Sequence, residues 1–363
     1  MKNDEEIRQR AWFEEKDELE TVIPPPDIVA FNEARSCADL FRLYKKGQLI
    51  IKPKFQRGIV WTNKEQALFV DSLIKQLPIP SICISLDIKS QNRLVIDGLQ
   101  RLWTIIHFLN FEEEDWKLPK CKDIDPELSD QKVSYIAKNK SMLFDKLENL
   151  TIPITVLRCN YDDPNHMAYL FQIFRRLNSG GCKLLNQEIR NCIYQGPFND
   201  FLREASVSPE WLSFTQATEE KIIAGRFGHE ERILRFFAML ERWEKYSGNL
   251  AQFLNTYMDD YKSCSKEKID FFRDTLQKTL RVANRLNIQP DIRKNKNLAE
   301  GILIGIGTNL SRLINIPESE LADKFSLLLN TPPYTEDIRE GMAHTDKVLA
   351  RIQAAISSFG AGQ

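Results

Sequence analysis

Histidine is scarce in this sequence, with four in 363 residues, and His107, His166, His229 and His344 stand far apart without metal-ligand spacing. An HNH nuclease needs a histidine base beside further His, Asn or Asp ligands, so nuclease activity is not expected of this chain. The seven cysteines are scattered and odd in number, with no Cys-x-x-Cys pair, which argues against a disulfide framework or a zinc ribbon and suits core thiols in a reducing cytoplasm. No apolar run of about twenty residues is present to span a bilayer. The segment Met1 to Glu20 is charged and lacks an apolar stretch before a cleavage site, so no secretory signal is expected. An excess of one charge is missing as well: 50 Lys and Arg face 51 Asp and Glu, which confines any nucleic-acid surface to a local patch. No internal repeat is apparent.

What remains is ordinary globular composition, 42% hydrophobic and 28% charged, over a length suited to two domains. Pro24-Pro25-Pro26 closes a charged segment, 1–26, because proline cannot continue a helix. Ala38 to Lys45 has helical spacing, and Leu49-Ile50-Ile51 forms a short strand leading to Gln56-Arg57 and Trp61. Thr62-Asn63-Lys64-Glu65 has the form of a capping box ahead of Phe69, Val70, Leu73 and Ile74. Ile82 to Leu86 and Arg93 to Ile96 read as a hairpin around Lys89-Ser90-Gln91-Asn92, and helical spacing resumes at Leu99. Residues 112–149 are charged and poorly periodic, Ile152 to Arg158 reads as a strand, and a helix starts at Asp163-Pro164. After Gly196-Pro197 only amphipathic helical patterns appear. The expected fold class is therefore α+β: a small mixed α/β domain over 27–195 followed by an all-helical domain over 196–363.

Three polar clusters stand at the ends of regular elements, where side chains can converge on a cleft. They are Gln56-Arg57 with Trp61; Asp97-Gly98-Leu99-Gln100-Arg101; and Phe174 to Gly181 followed by Asn186 to Arg190. A glycine before a helix lets the backbone approach a ligand, and the helix start favours phosphate. Arg101 and Arg57 could each grip two phosphate oxygens, whereas Asp97 suits a metal ion or an attacking water. Each cluster also has a plain structural reading. Asp97 fits an ordinary helix cap, Gln56-Arg57 a surface pair, and Asn178 to Gly181 a helix C-terminus.

In this order the clusters resemble the ParB/sulfiredoxin-like N-terminal domain of GmrSD-type modification-dependent restriction systems and SspE-type phosphorothioate-sensing defence proteins. The resemblance rests on Gln56-Arg57, Trp61, Pro78-Ile79-Pro80, a DGQQR-like motif at Asp97 to Arg101, and Phe174, Arg176, Asn178, Gly180, Glu188 and Arg190; Glu231 to Phe236 extends it, so that it spans Phe31 to Tyr261. It implies a ParB-like nucleotide-binding domain in a cytoplasmic phage-defence protein. Asp97, Gln100 and Arg101 inherit the catalytic role in nucleoside triphosphate hydrolysis, with Asp97 as ligand of a Mg2+ ion. Gln56, Arg57, Gly98, Arg176, Asn178, Glu188 and Arg190 inherit nucleotide binding. DNA, including modified phage DNA, and a separate HNH-type nuclease subunit are the implied partners, and an oligomer is compatible with the family.

Leu99 departs from the pattern where the family carries glutamine, a loss that hydrolysis tolerates less well than binding. Two readings follow: a nucleotide-hydrolysing sensor subunit, or a non-catalytic nucleotide- or DNA-binding regulatory module that docks a partner protein. Redox repair would need an activated cysteine near the motif, and Cys83 lies between Ile82 and Ile84, where burial raises a thiol pKa. Arg285, Arg293, Lys294 and Lys296 suit either a DNA contact or a solvated basic helix end.

Overall fold

The computed structural model describes residues 24–51, 61–177, 185–224, 227–286, 288, 295–335 and 345–360. The chain divides between Ile193 and Tyr194 into two compact units.

The first unit is built on a five-stranded mixed sheet of order β1-β5-β3-β4-β2, with β1 Val29–Ser36, β2 Leu49–Ile50, β3 Ile82–Asp87, β4 Arg93–Asp97 and β5 Thr151–Cys159. β1 runs antiparallel to β5 and β3 antiparallel to β4, while β3 with β5 and β2 with β4 are parallel. The expected hairpin is present and turns at Gln91, whose φ is 59°. Ile82, Ile84, Val95, Ile152, Ile154 and Val156 form one buried face with Leu40, Leu43, Val70, Leu73, Leu102 and Ile105 from the helices Cys37–Lys45, Asn63–Ile74 and Leu99–Leu109. Cys83 and Ser85, of opposite parity on β3, are buried too, so the sheet is covered on both sides.

The helix Asn63–Ile74 begins with the expected capping box: Thr62 Oγ1 accepts from the Glu65 amide at 3.2 Å and Glu65 Oε2 from the Thr62 amide at 2.7 Å. β1 was not legible from periodicity. It is an edge strand carrying Asn32, Glu33 and Arg35, mostly exposed, and it is held by eight registered positions against β5 rather than by burial. The stretch 112–149 also holds more order than its charge suggests. It contains the helices Val133–Asn139 and Ser141–Asn149, which bury Val133, Ile136 and Leu147, too few apolar residues per helix for a periodic signal.

The second unit contains no strand among the described residues, as expected. Its aromatic centre brings Phe198, Phe201, Phe237, Tyr257 and Phe272 together, with Phe237 and Phe272 ring centroids 4.8 Å apart. The helices Lys296–Thr308 and Thr345–Gly360 pack closely because Gly305 carries no side chain: a Cβ there would lie 2.5 Å from Phe359 and 2.6 Å from the Ala355 carbonyl. Among the described residues no helix is long and apolar enough to cross a membrane.

Candidate functional site

β4 does not deliver Asp97 in simple alternation. The β3–β4 register runs Cys83↔Asp97 and then Ile84↔Val95, so Ile96 is an extra residue, a bulge that re-aims the end of the strand. Gly98 follows with φ 90° and ψ 18°, a left-handed conformation that side chains rarely adopt, and serves as N-cap of Leu99–Leu109. A Cβ at Gly98 would also meet Ile82 at 3.0 Å and the Arg101 guanidinium at 3.1 Å. Glycine is therefore required twice over, by conformation and by the close approach of Arg101.

Asp97 is not the helix cap that its position suggests, because no side chain caps this helix start. Its Oδ2 instead accepts from Arg101 Nη2 at 2.9 Å, one turn away. Arg101 Nη1 donates to the Pro80 and Ser81 carbonyls, so the guanidinium ties the helix start to the loop before β3. Arg101 thus makes an ion pair within the protein as well as bonds to backbone carbonyls. The pair remains accessible, with the Asp97 side chain 40% exposed and that of Arg101 15% exposed.

Gln100 faces a different way. Its Oε1 accepts from the Trp61 amide at 3.2 Å, and the Trp61 carbonyl accepts from Gln66 Nε2 at 3.1 Å, so the backbone of Trp61 is clasped between two glutamines. Gln66 Oε1 lies 3.2 Å from His107 Nδ1; since the Gln66 amide nitrogen is already directed at Trp61, His107 donates from Nδ1. The His107 ring stacks on Trp116 at 4.7 Å, and burial lowers its pKa, so it is neutral at physiological pH. This chain from Gln100 to His107 holds the backbone at Trp61 in place. Sequence reasoning missed Gln66, although its place in the first turn after the capping box could have marked it.

The remaining site candidates divide sharply. Gln56, Arg57, Asn178 and Gly180 lie outside the described residues, so the convergence expected of Arg57 and Asn178 on Asp97 falls there too. Arg176 is exposed near the end of the helix Pro164–Leu177. Glu188 and Arg190 are 0% and 1% exposed on the helix Asn186–Ile193. Glu188 Oε2 accepts from the Leu185 amide at 2.7 Å, the carboxylate half of a capping box, while Arg190 donates to Gln187 at 3.1 Å and lies 6.0 Å from the Phe171 ring centroid. Leu99 is partly buried and packed against the hydrophobic core. Cys83, beside Asp97 in the sheet, has its thiol pKa pushed up to about 12 by burial and by the neighbouring carboxylate, which removes thiolate chemistry.

Among the described residues no group of three or more His, Cys, Asp or Glu is placed to hold a metal ion. A divalent ion at Asp97 would have to complete its shell with water and ligand oxygens, which is the usual manner of Mg2+ bound with a nucleotide. No side chain caps the helix start at Gly98, so its first amide groups have no side-chain acceptor there.

Residues 37–195, a little under half of the chain, match the family described as GmrSD restriction endonuclease, N-terminal domain. No curated protein and no solved structure matches the chain significantly.

Proposed function

We propose, from the match of residues 37–195 to the GmrSD restriction endonuclease N-terminal domain family, that the first unit belongs to a restriction and defence protein, binds the phosphates of a nucleoside triphosphate at the Gly98 helix start and signals to a separate nuclease that cuts modified DNA. The observation that carries this reading is the half-buried Asp97–Arg101 pair beside a helix start that no side chain caps. Asp97 opposes bare phosphate, so binding needs Mg2+ or a rearrangement. Arg101 can exchange Asp97 for a phosphate oxygen, which frees the carboxylate to hold the ion or orient a water. Gln100, which accepts from the Trp61 amide, would couple that rearrangement to the backbone at Trp61.

Calorimetric titration of the chain with several nucleoside triphosphates tests this, with and without Mg2+. Saturable, Mg2+-dependent binding that Arg101→Ala abolishes is expected. Equal binding by the variant would overturn the assignment of Arg101.

A second reading is favoured by Leu99, which packs on the core where the family pattern has glutamine. Under it the unit binds nucleotide or DNA phosphate without turnover, and the helical unit docks a partner protein. Phosphate release measured with and without DNA separates the two readings.

A further inference from the structure

Three oxygens from two separate segments converge on the Arg101 guanidinium. Nη2 donates to Asp97 Oδ2 at 2.9 Å, while Nη1 donates to the Pro80 carbonyl and, at 3.3 Å, to the Ser81 carbonyl. One carboxylate and two main-chain carbonyls thus surround a single delocalised positive charge. The same set of atoms is the kind that hard divalent cations prefer, since Mg2+ and Ca2+ are held by carboxylate, carbonyl and water oxygens.

The sheet, and not the arginine, places these oxygens. Pro80 and Ser81 lead directly into β3, whose first residue, Ile82, is fully buried and registered with Ile154 of β5. Asp97 ends β4, registered with Cys83, so the antiparallel pairing brings it beside the start of β3. Gly98 keeps this corner narrow, because a Cβ there would meet Ile82 at 3.0 Å. A guanidinium that swings away therefore leaves one negative charge and two carbonyl dipoles facing the same spot. Pro80 and Ser81 are exposed and the Asp97 side chain is 40% exposed, so the spot is a surface corner open to ions and water. Its occupant takes the place of the guanidinium and needs no closed cavity.

We propose that Asp97 Oδ2 and the carbonyls of Pro80 and Ser81 form a site for a divalent cation of the Mg2+ and Ca2+ class, and that the Arg101 guanidinium is its tethered occupant in the ligand-free chain. Two of the three ligands are main-chain atoms, so the site needs no cluster of acidic side chains. Arginine and ion exclude one another, because both carry positive charge and both use the same oxygens. The oxygen set stands on the geometry alone, whereas the release of Arg101 rests on its proposed role as a phosphate ligand. A phosphate that draws the guanidinium away vacates the site beside its own oxygens. The ion then gains protein ligands, completes its shell with water and phosphate, and offsets the repulsion between phosphate and Asp97. Cation binding is in this way conditional on the phosphate.

The test uses the full chain and cations without nucleotide. Arg101→Ala empties the three oxygens, and Arg101→Met does so while keeping most of the alkyl stem, which guards against a folding defect of the first variant. Mg2+ and Ca2+ are titrated separately at constant ionic strength, with Na+ as control, by calorimetry and melting temperature. Each arginine variant is expected to bind one divalent ion with a dissociation constant of roughly 10−4 to 10−3 M, the range of weak oxygen sites. Wild type should bind at least about fivefold more weakly, since the ion must first displace the guanidinium. Asp97→Asn added to either variant removes the charged ligand and should weaken binding by about tenfold or more. The ion bound more tightly identifies the better match. Variants that bind no more tightly than wild type, or equally well after Asp97→Asn, overturn the proposal. Titration of wild type with a nucleoside triphosphate and Mg2+ judges the nucleotide reading separately. Cation binding by the variants without triphosphate binding by wild type keeps the site and rejects that reading, and the opposite pair of results does the reverse.

Discussion

Each unit carries an arginine paired with a carboxylate, and the two pairs differ in what surrounds them. Arg101 and Asp97 meet at 2.9 Å near the surface, with side chains 15% and 40% exposed. Arg235 and Glu300 meet at 2.7 Å in the interior, with side chains 3% and 12% exposed. Water screens the first pair and lowers the cost of parting it, as the exchange proposed for Arg101 requires. The second pair has given up most of its hydration and cannot be opened without stranding a charge. Similar pairs therefore differ in how readily each can be parted.

The largest effect that would break this comparison is at Arg235. Arg235→Ala leaves Glu300 without its bidentate partner and should cost about 3 kcal/mol in denaturant unfolding. A cost no greater than that of Arg101→Ala would remove the distinction between the two pairs.

Glu230 sharpens the contrast through pH. Burial raises its pKa from the ordinary 4.5 to about 7, and its Oε2 has no hydrogen-bond partner among the described residues. The folded state holds the proton more tightly than the unfolded chain, so stability falls as pH rises from about 4.5 to about 7 and stays lowered above that. Glu230→Gln should therefore match wild type near pH 4 and exceed it by up to about 3 kcal/mol at pH 8. His229 acts in the opposite sense, losing stability as pH falls from 6.5 toward 4. Its effect cancels in the difference between variant and wild type.

Leu99→Gln puts an amide where an apolar side chain now packs, and about 1 kcal/mol of stability should be lost. If triphosphate hydrolysis rises instead, at unchanged melting temperature, position 99 faces the ligand and not the core. The smallest effect on stability is expected for Arg101→Ala, about 0.5 kcal/mol, because the pair it breaks is partly solvated. Loss of several kcal/mol would show that the bonds to Pro80 and Ser81 are structural anchors and would weaken the exchange proposed for Arg101.

Much of the first unit could be read from local chemistry. Thr62 and Glu65 announced a capping box, the hairpin from β3 to β4 had two short apolar runs around a polar turn, and Asp97-Gly98 marked a strand-to-helix junction. β1 escaped because an edge strand with Glu33 and Arg35 needs no apolar face when its backbone is paired with β5. The site was legible as a motif and not as a geometry. The i, i+4 spacing permits the Asp97–Arg101 pair, but the carbonyls of Pro80 and Ser81 reach Arg101 only once β3 and β4 are paired. Glu188 and Arg190 looked like ligand-binding polar residues, and the structure buries both with partners on their own helix and on the helix before it.

By itself the sequence determined the α+β class, the order of most elements in the first unit, the helical character of the second, and the need for glycine before Leu99, because these follow from the preferences of each residue and its near neighbours. Only the tertiary structure decided the bulge at Ile96, the clasp of Gln100 and Gln66 on Trp61, and the meeting of Arg101 with the carbonyls of Pro80 and Ser81. A bulge depends on the partner strand, and oxygens from separate segments gather around a charge only when the strands that position them are paired. The field around a site is therefore a property of the fold, even in a chain whose total charge is nearly balanced.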